Sequence, residues 1–237
     1  MQQELLLDVA GLAAELEGEP TFLPVIRRFR SARVVQSCVT DLRLAQDHIE
    51  ALEHLLNIGG TTDETRRRTI ETSLSITAAL LYVRATDDDG RGGGRGSVKV
   101  AGKLSDAAKE AHKRLVRLRN TAIAHVHDEE SPPEYAWRET MIFGRWLEGW
   151  NLGVTTRQST SSGRVFDDLK LCLSEAEPIL AAKAVLRINQ LTEALGAVPA
   201  EVFDRHTTTA GAFFKADAVA AALLNSGGPG TGAIIHV

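Results

Sequence analysis

Arg28–Leu56 reads RFRSARVVQSCVTDLRLAQDHIEALEHLL, and within it Val35, Cys38, Leu42, Ala45, Ile49, Leu52 and Leu56 recur at alternating steps of three and four. That period keeps apolar or small side chains on one stripe, so the segment predicts a helix whose stripe is buried against partners. Gly59 and Gly60 stop it. Thr62-Asp63-Glu64-Thr65 then supplies caps for a second helix carrying Ile70, Leu74, Ala78 and Leu81 on one face. The short connection makes the two helices antiparallel.

Downstream, the run Asp87-Asp88-Asp89-Gly90-Arg91-Gly92-Gly93-Gly94-Arg95-Gly96 interrupts the helical pattern. No strand leads into it and no Gly-Lys-Ser/Thr follows, so it reads as a flexible connection and not as a phosphate-gripping loop. Ser105-Asp106 begins a third helix, in which Ala111, Leu115, Leu118 and Ala122 face the core while His112 and Arg119 share a neighbouring face. Asp128–Pro133 marks a turn. All three tryptophans, Trp137, Trp146 and Trp150, fall in the following stretch, where a small hairpin and a short amphipathic helix both fit. Such rings serve either base stacking or core packing, and core packing is the commoner use of aromatic side chains. A long helix from about Val165 to Leu195 carries Leu169, Leu173, Ala176, Leu180, Ala184, Ile188, Leu191 and Leu195 on one stripe, with Pro178 as a kink point.

Four amphipathic stripes with few aromatics (5%) and 43% apolar residues predict an all-α bundle of four or more helices. The expected organisation is an N-terminal helical segment over 1–27, the bundle over 28–198, and a C-terminal extension over 199–237. In the first of these, residues 3–17 form a short helix. In the last, a short helix over Gly211–Leu224 precedes a glycine-rich mobile tail. No apolar run approaches the ~18 residues of a membrane span, and the start lacks a secretory signal, so a cytoplasmic protein with reduced Cys38 and Cys172 and no membrane association is expected.

Net charge is −4, which argues against general coating of nucleic acid. Locally the balance reverses. From Lys103 to Arg119 there are six Lys or Arg against Asp106 and Glu110, a footprint suited to a phosphodiester backbone. This basic helix runs into Arg119-Asn120-Thr121-Ala122-Ile123-Ala124-His125. An arginine holds phosphate oxygens with a planar fork of donors, and a histidine moves protons near neutral pH without a metal. The same residues, read conservatively, are a solvated helix face with a histidine near its end.

The pattern His112-x-x-Leu-x-x-Leu-Arg-Asn-x-x-Ile-Ala-His125, with Leu80-Leu81-Tyr82-Val83-Arg84 closing the helix before it, resembles the HEPN (higher eukaryotes and prokaryotes nucleotide-binding) family over roughly residues 30–198. The resemblance implies an up-and-down helical bundle acting as a homodimer. It also implies a metal-independent ribonuclease of toxin or phage-defence type, with RNA or a nucleotide as ligand and an antitoxin protein as a partner. On this reading Arg119, Asn120 and His125 are catalytic, His112, Lys113 and Arg117 contact RNA, and no cofactor or metal is required. The alternative is a noncatalytic helical module binding RNA, a nucleotide or a protein through the same face. Other chemistries lack their signatures: there is no Gly-x-Ser-x-Gly, no supported Cys/His pair, no strand into a glycine fingerprint, and His48 and His54 lack zinc-motif spacing.

Overall fold

A computed structural model of the chain describes residues 5–58, 64–87, 95–120, 138–146, 149–157 and 163–209. These are predominantly helical, as the stripes predict. The helices are α1 (Val9–Glu15), α2 (Leu23–Ile58), α3 (Glu64–Thr86), α4 (Asp106–Leu118), α5 (Gly163–Leu195) and α6 (Ala200–Arg205). Two antiparallel ladders accompany them: β1 (Leu5–Leu7) pairs with β4 (Thr207–Thr209), and β2 (Arg138–Trp146) pairs with β3 (Gly149–Arg157). The described residues divide into two compact units, one within Met1–Arg33 and Ala184–Val237 and the other within Val34–Lys183.

In the larger unit the side-chain pairings run in opposite order along facing helices. Ser105 meets Glu175 while Arg114 meets Asp168, so α4 and α5 are antiparallel. Across the α2 stripe, Val35, Cys38, Leu42, Ala45, Ile49 and Leu52 are all buried, whereas Leu56, at the end of the helix, is 42% exposed. Ala78, Leu81 and Tyr82 of α3, Ala108, Ala111, Leu115 and Leu118 of α4, and Leu169, Leu173, Ala176 and Leu180 of α5 complete the core. Leu74 is only half-buried and Ile70 lies on the surface; of the α5 residues that belong to the smaller unit, Leu191 is half-buried and Ile188 lies on the surface.

The connection after α3 is not loose throughout. Residues 88–94 lie outside the described residues, but Gly96, at φ +80°, turns the chain, and its carbonyl accepts from the Cys38 thiol. Val98 then donates its N–H to Ala85 O at 2.9 Å, and Val98, Val100 and Leu104 are buried. An apolar alternation, Val98-x-Val100, fastens the chain just after the glycine-rich run.

In the smaller unit, α1 is capped by the Asp8 carboxylate, which accepts from Ala10 N (3.1 Å) and Gly11 N (2.9 Å). Leu12, Leu16, Val25, Ile26 and Val198 form its core. The helix expected over 3–17 is instead a strand followed by a helix, because Leu5–Leu7 finds ladder partners at Thr207–Thr209, about two hundred residues away. Burial of Val25 and Ile26 also explains why α2 starts at Leu23 and not Arg28. Pro24 sits in its first turn, where a missing N–H costs nothing. The helix expected over Gly211–Leu224 and the glycine-rich tail lie outside the described residues.

Candidate nucleic-acid interface

Helix α4 carries the proposed chemistry, and its start is fixed by two neighbours. The Ser105 hydroxyl accepts from Ala108 N at 3.2 Å and donates to Glu175 Oε1 at 2.6 Å, while Ser105 N donates to Glu175 Oε2 at 2.7 Å. These bonds hold the Glu175 carboxyl below the usual carboxylate range. Ala108, Ala111, Leu115 and Leu118 turn inward, leaving Lys113, Arg117, Arg119 and Asn120 exposed on the outer surface.

The cations of this helix divide by what they do. Arg114 forms a two-pronged pair with Asp168 of α5, Nε to Oδ2 at 2.8 Å and Nη2 to Oδ1 at 2.7 Å. The Asp168 side chain is 6% exposed, so this pair is a structural clamp between helices. Lys109 pairs with Asp106 at 3.1 Å and Lys113 with Glu110 at 2.7 Å, one helical turn apart on the surface. The cap position of α4 belongs to Arg119, whose Nη1 donates to Asn120 Oδ1 at 2.8 Å. Side by side at the exposed helix end, the two present guanidinium and amide donors to solvent. His125 lies outside the described residues.

His112 is placed differently from the sequence expectation. It is 5% exposed on the inner face of α4, with Nδ1 at 2.9 Å from the Tyr82 hydroxyl and the two rings edge to face at 5.7 Å. A ring so enclosed is committed to the α3–α4 contact and does not lie with Lys113 and Arg117 on the outer surface. Burial lowers its pKa below the ordinary imidazole value and raises that of Tyr82, and the same burial pushes the neighbouring Cys172 thiol up to about 12. Cys172 donates to Ala108 O at 3.6 Å, so Tyr82, His112 and Cys172 tie α3, α4 and α5 at one level.

Sequence reasoning missed both buried carboxylates, Asp168 and Asp41. Asp41, with its side chain 4% exposed, takes both prongs of Arg84, Nε to Oδ2 at 2.7 Å and Nη2 to Oδ1 at 2.6 Å, and also accepts from Arg95, which reaches Ser37 as well. The available signal was position: Asp41 stands beside Leu42 inside the apolar stripe, where a carboxylate must find a partner. Among the described residues, no cluster of three or more His, Cys, Asp or Glu could hold a metal ion. His48 Nδ1 is bonded to Leu44 O of its own helix at 2.6 Å. Also among the described residues, no helix is long and apolar enough to cross a membrane. No family model, curated protein or solved structure shows significant similarity to the chain.

Proposed function

We propose that the protein is a HEPN-like, metal-independent endoribonuclease. The observation that carries the reading is the exposed Arg119–Asn120 pair at the end of a basic helix, with His125 six residues after the arginine. RNA brings its own nucleophile. Its 2′-hydroxyl attacks the adjacent phosphorus, the bond to O5′ breaks, and the products are a 2′,3′-cyclic phosphate and a 5′-hydroxyl. The protein then has only to position the backbone, handle the proton and stabilise charge. His125 does the proton work, Arg119 neutralises the non-bridging oxygens, and Asn120 orients the phosphate or the histidine. Lys113 and Arg117 extend the cationic track along α4. Two copies of this helix end facing across a two-fold axis would make one composite cleft. A toxin or phage-defence role, restrained by an antitoxin protein in the cytoplasm, is the setting the resemblance implies.

The test is cleavage of end-labelled RNA in the presence of a chelator. Wild type cuts, and Arg119→Ala and His125→Ala each lose most of the activity while keeping the helical circular-dichroism signal. General acid/base catalysis contributes typically ~10² to 10⁴ in rate, so the loss at His125 stands well above assay scatter. Equal background cleavage by wild type and His125→Ala, with only Arg119→Ala losing salt-sensitive RNA binding, would replace the nuclease by a noncatalytic binding module.

A further inference from the structure

Near its start α2 carries Arg27, Arg28, Arg30 and Arg33, and the C-terminal part of α5 carries Arg187. Their partners separate them. Arg30 pairs with the Glu17 carboxylate, whereas Arg28 and Arg187 both turn to the uncharged Gln190. Arg28 Nη1 donates to Gln190 Oε1 at 3.1 Å, and Arg187 Nη1 donates to the same oxygen at 2.7 Å. Two guanidinium groups therefore converge on one neutral atom, all within the smaller unit. Among the described residues neither arginine has a carboxylate partner. The sequence offers none locally, since no position one helical turn to either side of Arg28 or Arg187 is acidic. Arg187 Nε is, in addition, buried and without a hydrogen-bond partner.

Like charges brought this close repel, and a buried donor left unbonded destabilises the fold. An anion in the place of the amide oxygen relieves both. A planar carboxylate engages one guanidinium fork, while a tetrahedral oxyanion offers separate oxygens to donors that arrive from different directions. Two cations without a counter-charge also match a dianion. We propose that Arg28, Arg187 and Gln190 form a binding site for a phosphate dianion, either free or as the terminal group of a small monoester. Each guanidinium gives it charge-assisted hydrogen bonds, and the buried Arg187 Nε finds its acceptor. Rotating the Gln190 amide by half a turn presents Nε2 as a further donor. Arg28 is exposed, and Arg187 and Gln190 are half-buried, so the site opens to solvent. None of its residues belongs to the Arg119–Asn120–His125 set, and the ribonuclease reading can fail without affecting it.

Thermal melts and isothermal titration calorimetry of the full chain test it, with inorganic phosphate or adenosine 5′-monophosphate replacing chloride at constant ionic strength. A ligand that binds only the folded chain raises its melting temperature, so wild type should be stabilised in a saturable way. Arg28→Gln and Arg187→Gln should each weaken phosphate binding roughly 10- to 150-fold, the loss expected for a hydrogen bond from a charged group. Arg187→Lys should be impaired too, because it keeps the charge but loses Nε and the fork. Gln190→Glu installs an anion within the chain itself. It should raise the melting temperature without ligand and abolish the response to phosphate. Arg43→Gln/Arg66→Gln, which removes two exposed arginines of the larger unit, should respond as wild type does. Tighter binding of adenosine 5′-monophosphate than of inorganic phosphate assigns the site to a monoester, and equal or weaker binding assigns it to free phosphate. A wild type that responds to phosphate no more than to chloride overturns the proposal, as do Arg187→Gln or Gln190→Glu variants that bind phosphate as tightly as wild type.

Discussion

Tyr82 and the surrounding walls of the bundle hold the His112 imidazole, so an added proton there would be a charge in a nearly dry site. Burial is the main cause of its lowered pKa. Asp87 favours the proton and Lys99 opposes it, while Tyr82 and Cys172 are the other titratable groups at this level. The unfolded chain takes up the proton near the ordinary value of 6.5, before the folded chain does, so stability is full above that pH and declines as pH falls below it. Thermal melts from pH 7.5 to 5 should therefore show a fall that the paired Tyr82→Phe/His112→Leu variant lacks. Identical pH profiles would mean that His112 titrates as freely as a surface residue. The same scale sets the expectation for Arg119→Lys. A lysine keeps the charge but loses the fork of donors, so RNA cleavage should drop even though salt-sensitive binding largely survives.

Helix α4 is placed by what α5 offers it. Removing the Asp168 carboxylate strands the Arg114 guanidinium, 22% exposed, against a core it cannot leave. Asp168→Ala should cost about 3 kcal/mol or somewhat more in urea unfolding, whereas Arg114→Met/Asp168→Leu, which removes both charges, should recover much of that loss. Similar losses in the single and double variants would show that packing and not charge sets the clamp. On α2, Leu52→Ala should cost about 2 to 5 kcal/mol because its side chain is 3% exposed, while Leu56→Ala, at 42%, should be nearly silent. The contrast also shows what a local pattern can convey. Alternating steps of three and four locate a stripe from Val35 to Leu56, but whether its last member is covered depends on where the partner helices end. Likewise Ser105 announced the start of α4 through its own hydroxyl, while the face taken by His112 depended on Tyr82, thirty residues earlier. The pairing of Leu5–Leu7 with Thr207–Thr209 had no local signal at all, since three leucines before a capped helix fit either state. Arg119 and Asn120 were legible as exposed because they follow a run of basic residues and fall off the stripe that Ala111, Leu115 and Leu118 define.

At the scale of the whole chain, the first and last described segments are tied into one unit by the β1–β4 ladder and by Glu15, which pairs with Arg205 and with His206. The long helices α2 and α5 each contribute residues to this unit and to the larger one. What the proposed chemistry adds is a requirement for a second copy. A single helix end offers one Arg119 to a phosphate whose charge grows in the transition state, whereas two ends related by a two-fold axis offer two arginines and two proton carriers to the same group. Catalysis should then follow assembly. Diluting the protein through the range in which light scattering reports halving of the mass should lower the specific cleavage rate per chain in parallel, with RNA binding by each monomer persisting at reduced affinity. An interface that survives micromolar dilution is expected to bury on the order of 1,200 Å² or more in total. A species that remains a monomer throughout, yet cuts RNA at a constant rate per chain, would dissolve the composite cleft and place all of the catalytic groups within one copy.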